Sequence, residues 1–147
     1  MRWPSFPPSA AGPVVELTLE SLDPQNALDL VRCDDHGGVV LFLGTVRASA
    51  RGRKVLCLQY EAYPPMAEKR LRGIEEEMKR RWGPLEVAIL HRLGRVEVGQ
   101  IGVAIAVSAP NRRQAFAACR FAIDQLKKSV PLWKKEIFQD GWQWARG

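Results

Sequence analysis

The stretch from Asn111 to Trp144, NRRQAFAACRFAIDQLKKSVPLWKKEIFQDGWQW, constrains this chain more than any other. Ala115, Phe116, Cys119, Ala122, Ile123 and Leu126 recur at steps of three and four, which predicts one apolar stripe on a helix. Arg112, Arg113, Arg120, Lys127 and Lys128 fall largely off that stripe. Asn111 suits the helix cap after Pro110, and Pro131 stops the helix. A short extended segment, 132–138, follows, in which apolar Leu132 and Trp133 precede Lys134, Lys135 and Glu136. Asp140-Gly141 is a turn signal, and Trp142 and Trp144 close the stretch. The result is an apolar anchor with cations at both ends, an arrangement suited to holding an anionic ligand at a fixed place.

Two other runs are nearly all apolar. Residues 38–46, GVVLFLGTV, and 101–108, IGVAIAVS, read as strands buried on both faces. Gly44 within the first marks a bulge or a close backbone approach. Val14–Leu19 alternates as a strand does, and Asp23-Pro24 opens a short helix to about Val31. Val55–Glu61 reads as a strand with Val55, Cys57 and Gln59 on one face and Leu56, Leu58 and Tyr60 on the other. Joined to the 38–46 strand by the small basic loop ASARGRK, it suggests a hairpin. Pro64-Pro65 opens a helix over 66–82 with Met66, Leu71, Ile74, Met78 and Trp82 on its apolar face and charges of both signs, Glu75 among them, on the solvated face. Strands at Leu85–His91 and around Val96 and Val98 complete the order β α β β α β (β) β α β. Irregular mixing of this kind predicts an α+β fold with a mixed or antiparallel sheet and flanking helices.

At 147 residues the chain is read as one domain, 14–147, behind a tail of residues 1–13. That tail holds four prolines and little that can pack, so it is read as extended or disordered. The net charge of +6 favours an anionic partner: a phosphorylated small molecule, nucleic acid or an acidic protein surface. The three cysteines match no zinc or disulfide spacing, which indicates a reducing, cytosolic compartment. No apolar run spans a bilayer, and Arg2 is not followed by the apolar core of a secretory signal.

No phosphate-cradling glycine loop is present, neither histidine sits in a metal-spaced cluster, and no serine or cysteine triad can be assigned from spacing. By elimination the candidate functional groups are cations: Arg47, Arg112, Lys127 and Lys134. Arginine offers a planar fork for phosphate or carboxylate oxygens, whereas a lysine in an apolar pocket loses basicity and can donate a proton or stabilise an oxyanion. A plainer account competes for each lysine: Lys127 also offsets the dipole at a helix C-terminus, and Lys134 is also a surface cation beside a core tryptophan.

Several pieces together resemble one family. They are G-x-V-R at Gly44–Arg47, YEAY at Tyr60–Tyr63, HR-x-G at His91–Gly94 and V-x-V-G at Val96–Gly99. R-x-x-AF-x-AC at Arg112–Cys119, D-x-LK at Asp124–Lys127 and P-x-WKKE at Pro131–Glu136 complete the set. Over residues 14–144 the chain resembles the large, catalytic subunit of molybdopterin synthase. The resemblance implies an α+β fold of the α/β-hammerhead type and a homodimer within a heterotetramer. A small ubiquitin-like sulfur-carrier subunit docks at each end and inserts a thiocarboxylated Gly-Gly tail. Two sulfurs then pass to cyclic pyranopterin monophosphate, forming the dithiolene of molybdopterin in a cytoplasmic sulfurtransferase reaction that needs no cofactor or metal. By the same resemblance Lys127 and Lys134 are the catalytic lysines, Arg47 and Arg112 bind anions, and Glu136 is an acid near the site. The family usually has His-Arg where this chain has Asn111-Arg112. Asparagine can position an anion by hydrogen bonding but cannot carry a proton near neutral pH. A nucleic-acid module is the rival reading, but the chain lacks an aromatic-basic RNA signature or a recognition helix. The other rival is a scaffold that kept the partner surface and lost the chemistry.

Overall fold

The computed structural model describes residues 14–146; the expectation for the tail, residues 1–13, lies outside them. The elements form two sheets. In the first, β1 (Val14–Thr18) runs parallel to β5 (Glu86–Arg92), while β7 (Ile101–Ala109) is antiparallel to β5 and to β2 (Gly38–Thr45), giving the order β1-β5-β7-β2. The α+β reading with a mixed sheet therefore holds.

Alternation along β5 and β7 divides the core. Val87, Ile89, Val103, Ile105 and Val107 face α2 (Pro64–Trp82) and α3 (Arg112–Ser129), meeting Leu71, Met78, Ala118 and Leu126. Ala88, Leu90, Ala104 and Ala106 point the other way, toward Ala27 and Val31 at α1 (Pro24–Leu30). Three alanines on that face let a helix of only two turns lie close to the sheet, where its dispersion contacts are strongest. Asp23 caps α1 by accepting from Gln25 N, with Pro24 in the first turn, as its sequence indicates. Asn111 caps α3 in the same way: its side-chain oxygen accepts from Gln114 N at 3.2 Å.

The second sheet is built on β4 (Arg53–Ala62), in the order β3-β4-β8-β9 with β6 on the other edge of β4. Its members are β3 (Ser49–Ala50), β6 (Gly94–Glu97), β8 (Leu132–Phe138) and β9 (Gly141–Arg146). Val46, Ala50, Val55, Leu58, Val96 and Phe138 pack between these strands. The strand expected after Pro131 and the turn at Asp140-Gly141 are both present.

Several sequence expectations change. The hairpin joining the 38–46 strand to the 55–61 strand does not form: β2 pairs with β7 and β4 with β8, so the chain passes from one sheet to the other. The hairpin is smaller, β3–β4, turned by Arg51 and Gly52 at φ of 52° and 76°, so the segment read as a loop is in large part a paired hairpin. β2 is an edge strand with Val39 exposed, so it is not buried on both faces. In β4 the register shifts between Val55 and Cys57, which throws Leu56 outward and breaks strict alternation. On the helices, Met66 and Phe116 are exposed because Ala67 and the Ala115–Ala118–Cys119 stripe already fill the contact with the sheet. Glu75, expected on the solvated face, is buried and held by Lys79 at 3.1 Å.

Candidate active site

A cavity of about 230 Å³ opens where the two sheets meet the C-terminal end of α3. β2 contributes Phe42, Gly44 and, just past its end, Arg47; the β3–β4 hairpin contributes Ser49 and Ala50. Tyr60 enters from β4, His91 from β5, Leu126 and Lys127 from α3, and Lys134 and Glu136 from β8. Each placement follows from local pattern. A side chain at position 44 would force Val103 to move, because a Cβ there would lie 2.6 Å from Val103 Cγ1, and the register shift at Gly44/Thr45 lies just before Arg47. Lys134 and Glu136 are two apart on a strand, so they share a face. Lys135 points to the opposite face, where its ammonium lies 4.2 Å from the Trp142 ring centre. Lys127 follows Leu126, which is buried, so the helix anchors the lysine at the cavity wall.

Electrostatics distinguish these groups. Burial pushes the Lys134 ammonium below the usual lysine range; Glu136 pulls it back up, while Lys127, Arg47 and Arg51 push it further down. Glu136 is itself buried, and Arg51 Nη2 reaches one of its oxygens at 2.9 Å. His91 is only 3% exposed, and burial lowers its pKa to about 4, with Lys127 lowering it further. Its Nδ1 donates to the Arg92 carbonyl at 2.8 Å, so the ring is neutral near pH 7 with Nε2 unprotonated. Tyr60 meets the His91 ring edge-on, with centroids 4.9 Å apart, and its phenol is raised by burial. One buried carboxylate thus faces four cations: Arg47, Arg51, Lys127 and Lys134. Such a cavity can bind an anion, supply a proton from a weakened ammonium and stabilise negative charge developing on an oxygen.

No cysteine lines the cavity. Cys57 and Cys119 are buried elsewhere, the latter with its pKa pushed up to about 11 by burial, and Cys33 is partly exposed. Among the described residues no group of three His, Cys, Asp or Glu side chains is placed to hold a metal ion, and no helix is long and apolar enough to cross a membrane.

The structure therefore brings Arg47, Lys127, Lys134 and Glu136 together, four of the six candidates. Asn111 and Arg112 lie at the other end of α3, beside an open hollow shared with Arg113 and Phe116. Fifteen residues of helix separate Arg112 from Lys127, roughly 22 Å. The sequence reading assigned no role to three residues that the structure places at or over this cavity. His91 and Tyr60 lay inside quoted motifs, and alternation on their strands is the only signal that points them inward. Arg51 sat in a loop with no periodicity at all.

With the geometry in view, comparison with known proteins places the chain. The model of the MoaE protein family matches residues 17–129. A molybdopterin synthase catalytic subunit of Halalkalibacterium halodurans is 47% identical over 82% of this chain and 78% of its own length. The one of Bacillus subtilis is 40% identical over 88% of this chain and 82% of its own. Among solved structures, molybdopterin synthase from Staphylococcus aureus superposes with a TM-score of 0.86 at 40% identity, covering 88% of this chain and 95% of that one. A complex of subunits 1 and 2 of molybdopterin-converting factor from Helicobacter pylori shares the fold, with a TM-score of 0.69 at 18% identity over 91% of this chain and 90% of that one. On the family match across most of its length and on these identities, this chain belongs to the MoaE protein family.

Proposed function

We propose that this chain is the catalytic subunit of a molybdopterin synthase, a cytoplasmic sulfurtransferase. It moves two sulfurs, one from each of two thiocarboxylated Gly-Gly tails of a small ubiquitin-like subunit, onto cyclic pyranopterin monophosphate. The observation that carries this reading is the cavity itself: Lys127, Lys134, Arg47 and Glu136 converge on one space that holds no thiol. A cationic pocket fits a phosphorylated substrate and an anionic tail, and the missing thiol fits a reaction in which sulfur arrives on a partner. Once the sulfur is bonded to the pterin, water adds to the tail carbonyl. Lys127 stabilises the resulting oxyanion or donates a proton to it, and its collapse breaks the carbon–sulfur bond, leaving the sulfur on the pterin and a carboxylate on the tail. Lys134, with its weakened ammonium, is the second proton-carrying group, and Arg47 holds the anion.

The small-subunit partner is supported by the family membership and by the two-subunit complex among its structural relatives. Asn111 and Arg112 stand too far from the cavity of their own chain to serve it. In a homodimer the same residues of a second copy can complete that cavity, which gives them the anion-binding role the family resemblance implies.

The test is a reconstitution: purified protein, thiocarboxylated small subunit and cyclic pyranopterin monophosphate, with molybdopterin quantified. Product confirms the enzyme and shows that Asn111 is tolerated. Absence of product with intact partner binding rejects catalysis in favour of a scaffold, and Asn111→His is then the variant in which activity would return.

A further inference from the structure

Arg51 is placed unlike the other cations of the site. It sits at the tip of the two-residue β3–β4 turn with a left-handed backbone, φ 52°, where a non-glycine residue is uncommon. Its side chain is 54% exposed, yet its guanidinium reaches the carboxylate of Glu136, whose side chain is 6% exposed. Among the described residues, that Glu136 oxygen has no polar partner besides this guanidinium. The hairpin bearing Arg51 also forms part of the cavity wall through Ser49 and Ala50. A half-solvated arginine is thus held over the cavity by the one carboxylate inside it. Arg47, Lys127 and Lys134 line the same space, and Arg51 is close enough to Lys134 to lower its pKa.

We propose that Arg51 is a further anion-binding residue of this cavity, with Glu136 holding one side of its fork and the other side open to a phosphate or carboxylate. The inference rests on the anion-binding reading of the cavity and adds a residue that the family motifs do not contain. A guanidinium can hold two oxygens at once, so it can engage an incoming anion without first releasing Glu136. An exposed arginine on a turn adjusts its reach at little cost, because few contacts hold it. An anion entering beside Glu136 meets a like charge, which Arg51 offsets from the same side on which it binds.

Titration of the full-length protein with inorganic pyrophosphate at physiological ionic strength tests this, and the readout does not depend on sulfur transfer. Arg51→Asn removes the charge and suits the left-handed turn, since asparagine tolerates that backbone. It should weaken pyrophosphate binding about tenfold, as expected for loss of one charge-assisted contact. Arg51→Lys should recover part of that loss. The decisive comparison uses Glu136→Gln as background. If Arg51 touches the anion, Arg51→Asn still weakens binding in Glu136→Gln. If Arg51 only neutralises Glu136, its effect vanishes there and the proposal is overturned. It is equally overturned if the wild-type protein does not bind pyrophosphate or if Arg51→Asn binds it unchanged. Failure of the enzyme assignment appears elsewhere, as missing molybdopterin in the reconstitution with pyrophosphate binding intact.

Discussion

At its N-terminal end α3 presents Arg112 and Arg113 to an open hollow beside exposed Phe116; at its C-terminal end the same helix brings buried Leu126 and the exposed Lys127 to the lining of a deeper cavity between the sheets. Both ends carry cations, and both belong to motifs that the family resemblance singled out. Only the second has a second sheet over it, a buried carboxylate and a lysine weakened by burial. The difference shows that a cation acquires chemical character from what covers it. An arginine in bulk solvent interacts with an anion at the strength that water and salt permit, whereas one at a cavity wall acts in a lower dielectric.

The largest effect expected from this contrast is at Lys127. Lys127→Ala should lower molybdopterin formation about 10³-fold, the scale of losing a proton donor or oxyanion partner. Near-normal turnover in a single-turnover assay would remove the C-terminal end of α3 from the chemistry. A mixing experiment then asks whether the two ends meet in a dimer. Lys127→Ala and Arg112→Ala proteins, each impaired alone, are combined and allowed to exchange subunits. A shared site should restore about a quarter of wild-type activity, because half of the randomly mixed dimers hold one intact site of two. No rescue, with both variants impaired, would place the two ends in one chain's site or in unrelated tasks.

His91 sharpens the contrast through stability rather than rate. Its pKa is about 4 in the folded chain against 6.5 when exposed. Between those values the unfolded chain binds a proton that the folded chain does not, so stability falls as pH is lowered through that window. The loss should reach about 3 kcal/mol by pH 4. Urea midpoints from pH 7 to 4 would show it, and His91→Gln should flatten that part of the profile. An unchanged slope in the variant would mean that other groups carry the acid limb. The smallest effect belongs to the other end of the helix. Asn111→Ala deletes the cap bond to Gln114 N and should cost about 1 kcal/mol of stability. A larger loss would show that Asn111 does more within its own chain than cap the helix.

The cap was readable from Asn111 following Pro110, and the stripe from Ala115 to Leu126 held except at Phe116. The central strand Ile101–Ser108 was likewise readable, since an unbroken apolar run has few alternatives to a covered strand. Lys134 and Glu136 were readable as neighbours on one strand face because strand side chains alternate. None of these patterns carries the partner of a strand, and the failed hairpin between β2 and β4 shows it. Periodicity names the faces of a segment, while pairing depends on which segments are brought together by the rest of the chain.

The sequence by itself therefore determined the element types, the apolar faces, the basic character and, through its motifs, the family. Tertiary structure alone decided that Arg47, Lys127, Lys134 and Glu136 share one cavity while Asn111 and Arg112 do not. It also decided that His91 is neutral, that Lys134 is a weakened ammonium and that Arg51 reaches Glu136. The reason is physical: protonation and attraction follow from distance and burial, and both are set by residues far away in the chain.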